Sequence, residues 1–168
     1  FMSAKPQDAP SGAIQSGDGT PPGAVDRTPI DIFSNLLFVS SLYSQAGRGK
    51  EAVETANQAL AAARGAERKQ IARLSIASAL QMSGDMAGAE ATLRDILKES
   101  PGNPIALNNL GYFLLERNEK LEEALKLVEQ AVAVDPNNPS YLDSLGWVLY
   151  KQGKHEEAYG YYQRSLAI

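Results

Sequence analysis

The chain has no cysteine, one histidine and one tryptophan in 168 residues. Without a thiol there can be no disulfide, no thiolate metal site and no cysteine nucleophile. The same absence leaves the compartment open, because cytosolic and exported chains can both lack cysteine. His155 stands alone, which excludes a two-histidine metal centre. Long apolar runs are also missing: no window reaches the roughly 18 to 20 residues a bilayer span needs. Phe1 and Met2 are not followed by a charged-then-apolar stretch, so no secretory leader is expected within these residues. Nor is there an excess of positive charge. The 16 basic and 20 acidic side chains leave a net charge of −4, which argues against sequence-independent nucleic-acid binding. What remains is an ordinary balance, 43% hydrophobic and 21% charged. The length suits one domain or a short repeat array.

Proline and glycine are unevenly spread. Five of the nine prolines (Pro6, Pro10, Pro21, Pro22 and Pro29) fall in the first 29 residues, beside Gly12, Gly17, Gly19 and Gly23. Proline removes a backbone donor and glycine resists ordering, so residues 1–29 are expected to be an extended tail or linker. Residues 30–168 form the second segment. No proline occurs in it before Pro101, and alanine, leucine, glutamate and lysine, all strong helix formers, dominate. Apolar residues recur three and four apart: Leu36, Val39 and Tyr43; Ile71, Leu74, Ala77 and Leu80; Leu107, Leu110 and Leu114; Leu142, Leu145 and Leu149. That spacing predicts buried helical faces. Alternating strand patterns are absent, and the fold class is all-α.

Self-similarity carries more. Gly111 and Gly146 lie 35 residues apart, as do Pro101 and Pro136, and Ala89, Ala124 and Ala158 follow at 35 and 34. Upstream, Gly47 and Ala52 precede Gly84 and Ala89 by 37. A period near 34 built from two helices marks a solenoid.

These residues resemble the tetratricopeptide repeat family, over residues 33–168. The assigned units are 33–66, 70–103, 104–138 and 139–168, with Glu67 to Lys69 between the first two. The family pattern has a small residue where paired helices cross, here Ser40, Ala77, Gly111 and Gly146. Its turn glycine matches Gly47, Gly84 and Gly153, with Asn118 in the third unit; asparagine also tolerates the left-handed conformation that ends a helix. Early in the second helix the family has alanine, here Ala52, Ala89, Ala124 and Ala158. After that helix it has proline, here Pro101 and Pro136, whereas the first unit carries Arg64 instead. The resemblance implies about four antiparallel helix pairs coiled into a right-handed superhelix. The chain reaches Ile168 within the second helix of the fourth unit, with Tyr159, Tyr162 and Leu166 directed where a next helix would sit. The expectation there is a piece of a longer chain, or pairing with another copy.

Catalytic signals are poor. There is no glycine-rich phosphate loop, no GxSxG turn and no paired-histidine helix. His155 reads as a solvated turn residue without a base partner. Glu122, Glu123, Glu156 and Glu157 open second helices, where negative charge complements the helix dipole. Asp135 precedes Pro136 and Asn137, a turn signature. No metal site and no cofactor is expected.

Surface is what is left. The resemblance implies a concave groove lined by first helices. Carried onto this chain, the groove residues are Gln45, Leu74, Ser78, Gln81, Asn108, Asn109, Tyr112, Asp143, Trp147, Tyr150 and Lys151. Asparagine both donates and accepts, which suits an extended peptide backbone. Trp147 and Tyr150 are residue types enriched at binding hot spots, although packing between helices would equally account for Trp147 and Tyr112. The lysine and arginine cluster with which some family members clamp acidic chaperone tails is absent: Leu37 and Ser41 stand at two of its positions. Asp143 and Glu116 favour a neutral or basic segment instead. The expectation is a non-catalytic adaptor for a protein or peptide partner. Alternatives are a self-assembling scaffold, joined through the tail or the last helix, and an accessory domain of a larger enzyme. The closing units look like bacterial repeat proteins, some of them envelope-associated, which leaves cytoplasm and periplasm both open.

Overall fold

The computed structural model describes residues 31–168. The reading of residues 1–29 as an extended segment lies outside the described residues. Among the described residues there are eight α-helices and no strand: α1 (Ile32–Gln45), α2 (Gly49–Ala62), α3 (Gly65–Ser83), α4 (Met86–Glu99), α5 (Pro104–Glu116), α6 (Leu121–Val134), α7 (Pro139–Lys151) and α8 (His155–Leu166). No described helix is long and apolar enough to cross a membrane.

Local chemistry starts and stops these helices. Asn103 and Asn138 cap α5 and α7, their side-chain oxygens accepting from the backbone N–H groups of Ala106 and Ser140 at 2.8 and 3.1 Å. Pro104 and Pro139 follow at the first helical turn, where a missing N–H costs nothing. Between the two helices of each pair the chain reverses through a left-handed residue. Gly47, Gly84 and Gly153 have φ of +70°, +86° and +80°, and Asn118 takes the role in the third pair at +54°. One boundary differs from expectation. Gly65, at φ +83°, turns the chain out of α2 without a proline, and helix resumes at once. Glu67, Arg68 and Lys69 therefore lie within α3 rather than between units.

Consecutive helices pack on one another, and the first helices also meet across the stack, α1 with α3 and α5 with α7. A helical pair of this size cannot bury its apolar face alone, so the pairs stack. The main core gathers on α5, whose Leu110, Phe113, Leu114 and Leu115 are all at most 1% exposed. Two members of the expected apolar stripes are exposed: Val39 at 37% and Ile71 at 42%. At the repeat position of Val39, Ile76, Leu110 and Leu145 are buried. The helices holding those three pack on the second helix of the pair before; α1 has no such helix before it among the described residues.

Within each pair the two helices cross at small residues. A Cβ on Gly111 would stand 2.6 Å from Val128 Cγ2 and 3.1 Å from the Ala124 carbonyl oxygen. A Cβ on Gly146 would meet the Tyr162 ring at 3.0 and 3.1 Å. In the first pair Ser40 is small enough to cross, and its Oγ donates to the Ala52 carbonyl at 2.8 Å. Gly160, by contrast, sits inside α8 with nothing within 4 Å of its missing Cβ. Gly111→Leu is therefore expected to destabilise the fold by about 1–3 kcal/mol through overpacking. Gly160→Ala should stabilise it by about 0.5–1 kcal/mol through helix propensity. Thermal melts check both, and shifts in the same direction would contradict this crossing.

Candidate functional site

Capping fixes where α5 and α7 begin, and so which side chains they turn toward each other. Between them lies an open depression of about 450 Å³. Asn108, Asn109 and Tyr112 form the α5 wall, and Ser140, Asp143 and Ser144 form the α7 wall; Pro139 and Ser165 complete it. A smaller hollow of about 130 Å³ lies between α3 and α5, lined by Ser78, Gln81, Asn109 and Tyr112 over Ala77 and Leu93. Asn109 and Tyr112 belong to both. The two hollows therefore lie side by side on either side of Asn109 and Tyr112, and together they make up the groove across α3, α5 and α7.

Six of the expected groove residues line it: Ser78, Gln81, Asn108, Asn109, Tyr112 and Asp143. Asn108 is 8% exposed, and its amide oxygen has no hydrogen-bond partner among the described residues. Gln81 Nε2 donates to Glu116 Oε2 at 2.6 Å, closing one side of the smaller hollow. Trp147 stands apart from both hollows. Its ring lies 5.1 Å from that of Tyr112, tilted by 55°, and it packs on the core, so it buttresses the groove wall. Leu74 is likewise packed on the core. Tyr150 is exposed and leans on His155, ring to ring at 5.0 Å. Gln45 and Lys151 are exposed at the ends of α1 and α7 and line neither hollow.

Ser165 lay beyond the sequence reading. It reaches in from a second helix, and its Oγ donates to the Pro139 carbonyl at 2.9 Å. Nothing in the repeat pattern marks it, because that pattern places groove residues on first helices and Ser165 lies on α8. A hollow of similar size beside α2, α3 and α4 is spanned by the Arg73–Glu99 ion pair and exposes no unsatisfied buried group among the described residues.

The groove is electronegative. Burial first, then the Glu116 carboxylate and, more weakly, Asp143 push the Tyr112 phenol above its ordinary range. Tyr162 is raised too, by burial and then by Asp143. Chemically, the groove offers amides, hydroxyls and one aromatic wall. The Ser144 hydroxyl donates to the Ser140 carbonyl at 3.0 Å, a bond within α7 that does not activate it as a nucleophile. Among the described residues no group of three or more His, Asp or Glu side chains is placed to hold a metal ion.

Two family models described as tetratricopeptide repeat match this chain, over residues 40–104 and 103–168. The chain belongs to the tetratricopeptide repeat family. A TPR repeat-containing protein of Pseudomonas aeruginosa is 40% identical over 82 residues, which is 49% of this chain and 14% of that protein. The chain thus spans about a seventh of that relative's length. Among solved structures, PilW, described as a widely conserved type IV pilus biogenesis factor, superimposes with a TM-score of 0.68 at 24% identity. That match covers 82% of this chain and 62% of PilW. An O-GlcNAc transferase mutant from Thermobaculum terrenum gives a TM-score of 0.56 at 34% identity, over 58% of this chain and 19% of that one.

The field in the groove has a direct readout. After burial, the Glu116 carboxylate raises Tyr112 more than Asp143 does, so Glu116→Gln should lower the Tyr112 pKa more than Asp143→Asn does. NMR titration of ring-labelled tyrosine between about pH 8 and 12 measures it. The sign follows from the raised value: the neutral phenol is favoured in the fold, so that share of stability is lost as pH rises through the folded pKa. Equal titration in all three proteins would contradict the placement of Glu116 beside Tyr112.

Proposed function

We propose that this chain is a non-catalytic adaptor that receives an extended segment of a partner protein in the groove across α3, α5 and α7. The adjacency of the two hollows, which share Asn109 and Tyr112, carries this reading. Neighbouring packed helices lie about 8–10 Å apart, so three of them span about 20 Å. An extended chain covers that distance in about six residues at roughly 3.3 Å each. The groove is thus proportioned for a segment, and its amides offer a backbone both donors and acceptors. Likeness to part of an O-GlcNAc transferase supports reading such an adaptor as one portion of a longer protein. Selection from a displayed library of random peptides tests the proposal. Enriched peptides should bind the chain and lose about tenfold or more in affinity to a variant carrying Asn109→Ala and Tyr112→Ala. Absence of enrichment, or binding indifferent to both substitutions, would overturn it.

One observation favours a second reading, self-association through the ends of the stack. Leu97, Val132 and Leu166 share a repeat position. The first two pack on the cluster around Leu107 and Tyr141, whereas Leu166 is 89% exposed. At the other end Phe38 and Leu42 of α1 are 63% and 45% exposed. Sedimentation velocity across about a hundredfold concentration range decides: association that Leu166→Glu abolishes supports this reading, and a constant monomer mass excludes it.

A further inference from the structure

Resting on the groove reading, we infer that the depression between α5 and α7 is a subsite for one cationic side chain, lysine or arginine, of the bound segment. The residues around it supply acceptors and no positive charge. Asn108 is almost fully buried, and its amide oxygen is left without a partner. Leaving such an acceptor empty carries a desolvation cost that a ligand donor would recover. Asp143, on the facing helix, makes no ion pair or hydrogen bond among the described residues. Several other carboxylates are matched. Arg94 lies 2.8 Å from both Glu90 and Glu123, and Arg68 sits 2.9 Å from Asp31. Phenols on two different helices, Tyr112 and Tyr162, are raised by burial first and in smaller part by the Asp143 charge.

The chemistry of the occupant follows by elimination. An aliphatic side chain would cover Asn108 without satisfying it, and specificity built on an unpaired buried acceptor is steep. A carboxylate would meet Asp143 at like charge. A divalent cation wants several oxygen ligands with more than one carboxylate, and Asp143 is the one carboxylate in this depression. An ammonium or guanidinium group satisfies all three features: it donates to Asn108, neutralises Asp143 and can lie against the Tyr112 ring. Its aliphatic stem would then run over the small Ser140 and Ser144.

The test uses acetylated and amidated pentapeptides, Gly-Gly-X-Gly-Gly, with X arginine, lysine, citrulline or glutamate, added to the ¹⁵N-labelled chain. The terminal blocks remove the competing α-amine. Arginine and lysine peptides should shift the Asn108 and Asn109 side-chain amides saturably. Citrulline, the neutral isostere of arginine, should bind about fivefold or more weakly, and glutamate should not bind. Asp143→Asn, at an exposed position that should leave the melting temperature unchanged, should cost the arginine peptide a similar factor. Raising salt from about 50 to about 500 mM should weaken the wild type but not that variant. Asn108→Asp should tighten binding and Asn108→Leu should weaken it. Equal binding of citrulline and arginine, indifference to Asp143→Asn, or no shift with any peptide would overturn the inference. The two readings fail separately. Library peptides that need Asn109 and Tyr112 yet carry no lysine or arginine would remove this subsite and leave the groove; a library yielding nothing would remove both.

Discussion

Everything in this stack depends on how closely two helices can approach within a pair. Gly111 brings α5 to within a van der Waals contact of the α6 backbone, so that even one added carbon would strike Val128 and the Ala124 carbonyl. The partner side is equally bare: Ala52, Ala89, Ala124 and Ala158 are each at most 1% exposed. Once that contact is made, the helical period of about 100° per residue places the rest of α5. Taking Gly111 as the direction of α6, Asn108, Tyr112 and Asn109 fall roughly 60°, 100° and 160° to one side. Leu110 and Phe113 fall about 100° and 160° to the other side, toward α4. A groove face and a core face on one helix are thus consequences of where the small residue sits.

The same phase repeats in α7, but with different side chains, and this makes the groove asymmetric. Asn108 and Asp143 share a repeat position, as do Tyr112 and Trp147. Adjacent rings at that position meet at 5.1 Å and brace one another across the stack. In the first two pairs the corresponding residues are Leu37 and Leu74, then Ser41 and Ser78, which offer neither charge nor ring. Charge and aromatic rings at these positions are therefore concentrated in the second half, although the backbone architecture is shared throughout. In a repeat fold the backbone is common property and recognition is written residue by residue.

How much of this was legible follows from how local each constraint is. Turn residues can be read from a single position, because only glycine or asparagine settles comfortably at positive φ; Asn118 was foreseeable for that reason. Crossing residues can be read from spacing. Lys120, at φ +47°, and Gly49, whose Cβ would collide with Ser83, were not foreseeable, since neither carries a periodic mark. Groove residues at mid-helix, such as Asn108, Asn109 and Tyr112, came with the register. Those in the last turn did not behave alike. Gln81 and Tyr150 share a repeat position, yet Gln81 is drawn inward by Glu116 whereas Tyr150 turns to His155. Register gives direction at mid-helix, and partners decide it near the end.

Charge follows a different rule from packing. Outside the groove, several acidic side chains are tied to basic ones, as where Arg94 joins Glu90 of its own helix to Glu123 of α6. These pairs are partly solvated, and each contributes little to stability. They neutralise, however, so the field of the molecule is not spread evenly over its surface. Glu116 has the neutral Gln81 as its partner, and Asp143 has none among the described residues. A solvated carboxylate costs the fold almost nothing, so its lack of a partner is no defect of stability. What it does is set the sign of the potential over a buried amide and an aromatic wall. Packing builds the groove, and two carboxylates set the charge beside its aromatic wall.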